Sequence, residues 1–154
     1  MAELIIYTDG AARGNPGRGG YGAILMFGDK RMELSAGYRM TTNNRMELLA
    51  VIVALQALKK NHLPVKIFTD SKYIVDSVQK GWLNTWIKTD FKGGKKNKDL
   101  WTAYYQLSKQ FKIHFHWVKG HADNPYNNRC DELATSAADG GGLMVDVEYE
   151  RLIS

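Results

Sequence analysis

Residues with alternating polarity divide the first half of the chain into short strands. Residues 3 to 9 alternate weakly and predict a strand, and the following glycine-rich segment GAARGNPGRGG predicts a loop. YGAILMF and RMELSAGYRM flank Gly28-Asp29, a pair that tolerates positive φ, so they predict a hairpin. β-branched and aromatic residues predict two further strands, from Pro64 to Asp70 and over residues 112 to 118.

Helical spacing of apolar residues predicts the intervening segments. TTNN caps a long helix from about Asn44 to Lys60, and Ser71 caps a second helix. Residues 81 to 98 predict a short helix followed by a lysine-rich loop, and residues 99 to 110 predict another helix. Pro125 opens the last long helix.

The resulting order, β-β-β-α-β-α-α-α-β-α, predicts an α/β protein with a mixed sheet, a front hairpin meander and helices on both faces. The length of 154 residues suits one domain with one hydrophobic core. Gly140 to Gly142 end the final helix. Residues 140–154, with three acidic residues and one arginine, are expected to form a loosely docked or mobile tail.

Composition narrows the classes of protein. Hydrophobic residues make up 44% of the chain, yet no apolar run approaches the roughly 20 residues that cross a bilayer, so we expect no membrane association. The N-terminus, MAELIIYTDG, is too short and too acidic for a signal peptide. The single cysteine, Cys130, cannot form an internal disulfide and fits a reducing cytoplasm.

The net charge of +5 is concentrated in one segment. Residues 72 to 98 contain seven lysines and two aspartates, and the rest of the chain is neutral in sum. Trp82, Trp86 and Phe91 lie within this segment, so it fits a surface for a phosphate backbone whose sugars or bases pack on aromatic rings. A solvated lysine loop with core tryptophans explains the same segment equally well.

Four carboxylates occupy positions that stability alone rarely selects. Asp9 and Asp70 end strands, Glu47 interrupts the apolar helix RMELLAVIVAL, and Asp131 borders an apolar stripe four residues after Asn127. Separately, each carboxylate has a structural explanation as a helix cap or turn residue, including a capping box of Asn44 with Glu47. Together they indicate one site for hard divalent cations, because clustered carboxylates repel one another unless a cation neutralises them.

The sequence context of three other motifs argues against a dinucleotide-binding loop, a zinc site and a nucleophilic cysteine. Residues 17 to 22 match G-x-G-x-x-G, but a strand rather than a helix follows them. His114 and His116 share one face of a strand and are better explained as the solvent side of an edge strand than as zinc ligands with His121. Cys130 follows the helical spacing of core residues, which argues against a nucleophilic thiol.

Four sequence blocks resemble, in order, the motif blocks of type 1 ribonuclease H: TDGAARGNPGRGGYGAIL, TTNNRMELLAVIVAL, FTDSKYIVDSV and WVKGHADNPYNNRCDELA. The resemblance covers residues 3 to about 139. It implies a ribonuclease H-like fold with a five-stranded mixed sheet, and a catalytic domain over residues 1–139 that includes a basic protrusion at about 80–98. It also implies an endonuclease that hydrolyses the RNA strand of RNA/DNA hybrids, leaving 5′-phosphate and 3′-hydroxyl ends.

By position, the resemblance implies metal-binding and catalytic roles for Asp9, Glu47, Asp70 and Asp131, and a catalytic role for His121 in a loop. Two Mg²⁺ ions, with Mn²⁺ as a possible substitute, would bracket the scissile phosphate. Some relatives carry cysteine and glutamine where this chain has Ala12 and Lys72, so Lys72 would offer a phosphate contact instead of an amide hydrogen bond. The implied substrate-binding residues are Gly10, Asn15, Thr42, Asn43, Asn44 and Lys72, with Trp82, Trp86, Lys92, Lys95, Lys96 and Lys98 in the protrusion.

Two alternatives compete with this interpretation. One is a DNA nuclease or recombinase of the same fold, because fold alone does not fix function. The other is a module that binds RNA/DNA hybrids without cutting them. We expect the RNA/DNA hybrid as the partner, with no obligate protein partner and a monomeric protein in the cytoplasm.

Overall fold

A computed structural model describes residues 3–58, 64–119 and 123–154. Within these residues, five strands form one mixed sheet in the order β3-β2-β1-β4-β5. β1, β2 and β3 form an antiparallel meander, and β4 and β5 run parallel to β1. The strands are β1 (Leu4–Arg13), β2 (Gly17–Phe27), β3 (Lys30–Thr41), β4 (Pro64–Thr69) and β5 (Lys112–Trp117). The helices are α1 (Asn43–Gln56), α2 (Lys72–Gln79), α3 (Trp82–Lys88), α4 (Lys98–Ser108), α5 (Pro125–Asp139) and α6 (Val147–Ile153).

The α/β class, the mixed sheet and the hairpin at Gly28-Asp29 are confirmed, with Phe27 opposite Lys30 in the register. The prediction of a long loop after residue 9 is wrong. β1 continues to Arg13 and β2 begins at Gly17, so the turn comprises only residues 14 to 16. Glycines there pair through their backbones, and because they carry no side chain they leave no alternation of polarity in the sequence.

Local capping follows the sequence closely. The Thr42 hydroxyl accepts a hydrogen bond from the backbone N–H of Arg45, and the Ser71 hydroxyl accepts one from the N–H of Ile74. Asn124 caps α5 just before Pro125. α1 ends at Gln56, a turn earlier than predicted, and Lys60 lies outside the described residues.

The main core lies between the sheet and α1, α2 and α4. Ile6 and Ile67 of the central strands meet Leu48 and Val51 of α1, and none of these side chains is exposed. Trp101 of α4 is also fully buried. Burial of side chains of this size contributes about 1.5–3 kcal/mol each, so this face of the sheet supplies much of the stability.

On the other face, α5 lies against a strip of glycines. A Cβ atom at Gly22 would lie 2.4 Å from the carbonyl oxygen of Cys130, and one at Gly20 would lie 2.4 Å from that of Ala134. At Gly37 of β3, the carbonyl oxygen of Ala137 would be 2.1 Å away. Side chains at these positions would therefore displace α5 from the sheet, so the glycines set the height of that helix.

The C-terminal segment, for which a loosely docked or mobile tail was predicted, makes specific contacts with β3 and α1. The Met144 N–H donates to the carbonyl oxygen of Gly37, and its carbonyl accepts from the Arg39 N–H, which ties the segment to β3. The Arg39 guanidinium pairs with Glu150 of α6 at 2.9 Å. Asp146, at 9% exposure, lies buried between these contacts. Asp146 and Glu150 thus have basic partners on α1 and β3, contacts that the polar composition of the segment does not reveal. Among the described residues, no helix has both the length and the apolar content to cross a membrane.

We expect Gly22→Ala to lower the free energy of unfolding by about 1–3 kcal/mol, because its methyl group would overpack the contact with α5. The measurement is urea unfolding followed by circular dichroism. Gly141→Ala is the matched control: a Cβ there meets no atom within 4 Å, so its effect should stay within about 0.5 kcal/mol. Equal stabilities for the two variants would contradict the proposed role of the glycine strip.

Candidate active site

Two carboxylates are brought together by the parallel pairing of β1 with β4. Tyr7 lies opposite Phe68 in the last pair of this parallel register, so the residues that follow Tyr7 and Phe68 lie at the same end of the two strands. Asp9 lies in β1 at 4% exposure, and Asp70 directly follows β4 and is partly buried. The two strands therefore present both carboxylates side by side, although Asp9 lies within β1 and not at its end as predicted.

The third carboxylate comes from α1 and depends on Gly10. A Cβ atom at Gly10 would lie 2.3 Å from the backbone nitrogen of Glu47. Only glycine permits this approach of a helix backbone to a strand backbone. Gly10 thus acts through its missing side chain, and it places Glu47, at 5% exposure, beside Asp9.

The three side chains form a compact cluster. One oxygen from each of Asp9, Glu47 and Asp70 lies within 4.8 Å of the others. The cluster faces a pocket of about 330 Å³ that Asp131 and Asn127 line from α5. Asp131 thus lies in the same pocket, although it is not one of the three tightly clustered carboxylates.

Burial and mutual repulsion disfavour charge in this cluster. Burial, followed by the negative charge of Asp70, raises the pKa of Asp9 to about 8. Burial and the charge of Asp9 raise the pKa of Glu47 well above its ordinary value. Without a cation, Asp9 and Glu47 are therefore more readily protonated than ordinary carboxyl groups.

The donor set fits a hard divalent cation. The Oε1 atom of Glu47 is buried and has no hydrogen-bond partner among the described residues, and the same holds for Oδ1 of Asn127. Buried oxygens without partners cost free energy, and a cation that accepts oxygen ligands would remove that cost. The described part of the cluster contains neither sulfur nor imidazole, which favours Mg²⁺ or Mn²⁺ over zinc.

The separate structural explanations for these carboxylates do not hold. Thr42 caps α1, so Asn44 lies inside the helix and cannot form a capping box with Glu47. Ser71 caps α2, so Asp70 is not required there. The Oδ1 atom of Asp9 accepts a hydrogen bond from the Gly10 N–H at 2.9 Å, a local contact that leaves its second oxygen available.

The histidines and the cysteine considered in the sequence analysis are not part of the carboxylate cluster as far as the structure describes them. His114 and His116 are exposed on the edge strand β5, as predicted. Cys130 is fully buried, its thiol donates to the Tyr7 carbonyl at 3.3 Å, and burial raises its pKa, so it is a core residue. His121 lies outside the described residues.

The candidate hybrid-binding residues near α1 form a second feature beside the carboxylates. The Asn15 side-chain oxygen accepts a hydrogen bond from the backbone N–H of Asn43 at 3.1 Å, which joins the β1–β2 turn to the start of α1. Asn15, Thr42 and Asn44 line a groove of about 1010 Å³. Lys95, Lys96 and Lys98 line the same groove, so polar groups of α1 and the lysine loop share one surface.

The protrusion is partly surface and partly core. Trp82 is 43% exposed and, with Trp86, Lys92 and Lys95, lines a cavity of about 710 Å³. Trp86 also packs edge-on against Trp101 at 6.0 Å. Phe91 is only 7% exposed, so the expectation that its ring faces nucleic acid is wrong.

Two contacts in this region were not anticipated from the sequence. The indole N–H of Trp117 donates to the backbone carbonyl of Asp70 at 3.1 Å. The Lys72 ammonium lies 4.7 Å from the centre of the Trp117 ring, and this ring is 44% exposed. The position of Trp117 could have indicated these contacts. Trp117 is the last residue of β5, which pairs with β4 and places Trp117 opposite Thr69, the residue before Asp70.

Comparisons with known proteins agree with this geometry. The RNase H family model matches residues 1–139. Ribonuclease H of Trichodesmium erythraeum is 49% identical over 152 residues, with 96% of each chain covered. The crystal structure of LC9-RNase H1, a type 1 RNase H with the type 2 active-site motif, has a TM-score of 0.81 and 29% identity, and the match covers all of this chain and 82% of that one. LC11-RNase H1 in complex with RNA/DNA hybrid has a TM-score of 0.67 and 28% identity, with 89% and 97% covered.

The cluster of acidic residues between the sheet and the helices fits the class of nucleases that bind divalent metal ions, and the matches specify the class further. The chain belongs to the ribonuclease H family. It is an endoribonuclease that hydrolyses the RNA strand of RNA/DNA hybrids.

We expect the metal-free protein to lose stability as pH rises from about 4 to 8, because a carboxyl whose folded-state pKa is raised favours folding only while it is protonated. Asp9→Asn should reduce this loss, although the buried Glu47 retains part of it, so at pH 8.5 in EDTA the variant should melt at a higher temperature than the parent. At pH 4 the two should melt alike.

The measurement is thermal melting across this pH range with and without Mg²⁺, which should narrow the difference at pH 8.5. Asp29→Asn, at an exposed turn at the other end of β2, is the control and should follow the parent. If the melting temperatures of Asp9→Asn and the parent are equal at every pH, the raised pKa of Asp9 in the folded protein is contradicted.

Proposed function

We propose that the chain cleaves its hybrid substrate with two divalent cations, Mg²⁺ in the cell, held by Asp9, Glu47, Asp70 and Asp131. The observation that carries the proposal is the cluster of three carboxylates within 4.8 Å, with an unpartnered buried oxygen on Glu47. When bound, the cations supply Lewis acidity that lowers the pKa of an attacking water and neutralises charge on the leaving 3′-oxygen. No covalent nucleophile from the protein is required.

The side chains contribute positioning and charge. Asp9 and Asp70 are fixed by neighbouring strands, and Glu47 is fixed by the contact of α1 with Gly10, so their oxygens need little reorganisation to act as ligands. Asp131 completes the pocket from α5. His121 would carry a proton or assist product release, and its replacement by alanine should reduce turnover by about 10²-fold or less.

Recognition would divide the hybrid between two surfaces. Asn15, Asn43, Asn44 and the backbone at Gly10 offer groups that can read 2′-hydroxyls of the RNA strand in the minor groove. Thr42 and Lys72 would contact phosphates. The DNA strand would lie along the protrusion, where Trp82 and Trp86 flank a cavity bordered by lysines.

We further propose that the protein acts as a monomer in the cytoplasm. Cys130 is fully buried on the core side of α5, where a free thiol is suited to a reducing compartment.

The test of the function is a substrate panel. With Mg²⁺, the protein should cut the RNA strand of a labelled hybrid, should leave duplex DNA intact, and should barely cut duplex RNA, because the 2′-hydroxyl marks only one strand of the correct substrate. EDTA should abolish cutting. Asp9→Asn, purified in parallel, should be nearly inactive while still binding hybrid, which excludes a contaminating nuclease. Cleavage of duplex DNA, or undiminished turnover by Asp9→Asn, would overturn the proposal.

The protrusion is tested through salt. Replacing Lys92, Lys95 and Lys96 with alanine should raise the Michaelis constant and lower the magnitude of the log-log salt slope by about 0.9 for each phosphate that the protein no longer neutralises. Lys98→Ala alone should have a smaller effect, because Lys98 already pairs with Asp90 at 2.7 Å.

The matched control for the triple variant removes three exposed lysines elsewhere, at Lys30, Lys109 and Lys112. It carries the same change of net charge and should leave the salt slope near that of the parent. Equal slopes for the two triple variants would mean that the protrusion contributes only general charge.

A further inference from the structure

A buried arginine joins three distant parts of the chain. Arg45, in the first turn of α1, is only 2% exposed. Its guanidinium donates to both carboxylate oxygens of Asp99, at 2.9 and 2.7 Å, and to both oxygens of Asp146, at 2.7 and 2.9 Å. Asp99 lies in the first turn of α4, just after the lysine loop, whereas Asp146 belongs to the C-terminal segment. One cation therefore connects the protrusion, α1 and the C-terminus.

Asp146 makes a further contact that fixes its position. Its Oδ2 atom accepts a hydrogen bond from the Thr41 hydroxyl at 2.7 Å, at the end of β3. Asp146 thus contacts residues on both sides of Thr42, the cap of α1. Both of its oxygens are used, and the side chain is nearly buried, so it holds the strand end and the helix start at one spacing.

The residues that this arrangement holds are those proposed to contact substrate. Thr42 and Asn44 lie close to Arg45 in the sequence, and they share the groove of about 1010 Å³ with Lys95 and Lys96. We call the contacts among Arg45, Asp99, Asp146 and Thr41 the network. α6 forms part of the same groove through Tyr149, whose ring lies 5.7 Å from the Arg45 guanidinium. One side of the groove is the first turn of α1, here called the α1 turn, and the other is the lysine loop. Arg45 joins them, because it belongs to the α1 turn and pairs with Asp99 just after the loop.

Buried ion networks are poor sources of stability, because desolvation offsets much of their attraction. Their best-attested use is to fix one spatial arrangement among several that an apolar core would permit. The geometric precision of paired Arg–carboxylate contacts suits that use.

We propose that Asp146 is a positioning residue for hybrid binding, acting through Arg45 and Thr41 to fix the spacing between the α1 turn and the lysine loop. This inference depends on the proposed function, since the groove is taken to hold the hybrid. It assigns the C-terminal segment a role in substrate affinity, whereas the chemistry belongs to the carboxylates about Asp9.

The test compares Asp146→Asn with Glu150→Gln in the full chain. Glu150 docks the same segment through an exposed pair with Arg39, outside the network. At a temperature well below both melting transitions, Asp146→Asn should raise the Michaelis constant for hybrid about 5- to 10-fold and change kcat by less than twofold. Glu150→Gln should leave both constants unchanged. Thr41→Val, which removes one hydrogen bond and keeps both ion pairs, should give a smaller rise and serves if Asp146→Asn does not fold.

Binding of uncut hybrid in an Asp9→Asn background separates this inference from the proposed function. If the parent does not cut hybrid, the proposed function fails, yet weaker binding by Asp146→Asn in this background still supports positioning. If Asp146→Asn lowers only the melting temperature and leaves hybrid affinity unchanged, the residue is structural and the inference is overturned. An equal loss of affinity in Glu150→Gln would also overturn it, because docking alone would then explain the effect.

Discussion

The close approach of two helices to the sheet is the constraint on which the rest of this structure depends. α1 reaches β1 at Gly10, and α5 reaches β2 at Gly20 and Gly22, at distances that exclude any side chain. Since Asp9 lies directly opposite Gly22 in the register, the same strand pair supports a carboxylate and the helix that carries Asp131. Glycines far apart in the sequence therefore determine whether the acidic groups meet.

Bringing these groups together works against stability. Asp9 and Glu47 are nearly buried. Burial and the charge of Asp70 raise the pKa of Asp9, and burial and the charge of Asp9 raise that of Glu47, so charging these groups without metal costs folding free energy. The apolar packing around Ile6, Ile67 and Trp101 supplies the stability that tolerates this arrangement. A divalent cation held there would be both the proposed catalyst and a stabilising ligand, because it would bind the folded arrangement of oxygens and not the unfolded chain.

Charge is distributed in two ways that serve different ends. The lysines of the protrusion are mostly exposed, where they can interact with a polyanion over a long range. The buried charges of Arg45, Asp99 and Asp146 neutralise one another within hydrogen-bond distance and act only locally. The first group suits attraction of a nucleic acid, and the second suits holding the groove that would receive it.

By itself, the sequence determined the α/β class, the order of elements up to α5, the capping residues and the identity of the candidate carboxylates. These features depend on neighbours within a few residues: polarity repeats, Ser71 or Thr42 before a helix, and acidic residues within or next to apolar segments. The sequence did not reveal the full extent of β1 and β2, because glycine has no side chain that could contribute to an alternation of polarity. The role of the β2 glycines in the packing of α5 becomes visible only when Cys130 and Ala134 lie against them. The buried position of Phe91 and the docking of Asp146 onto Arg45 were likewise decided only by tertiary structure, since each depends on a partner distant in the chain.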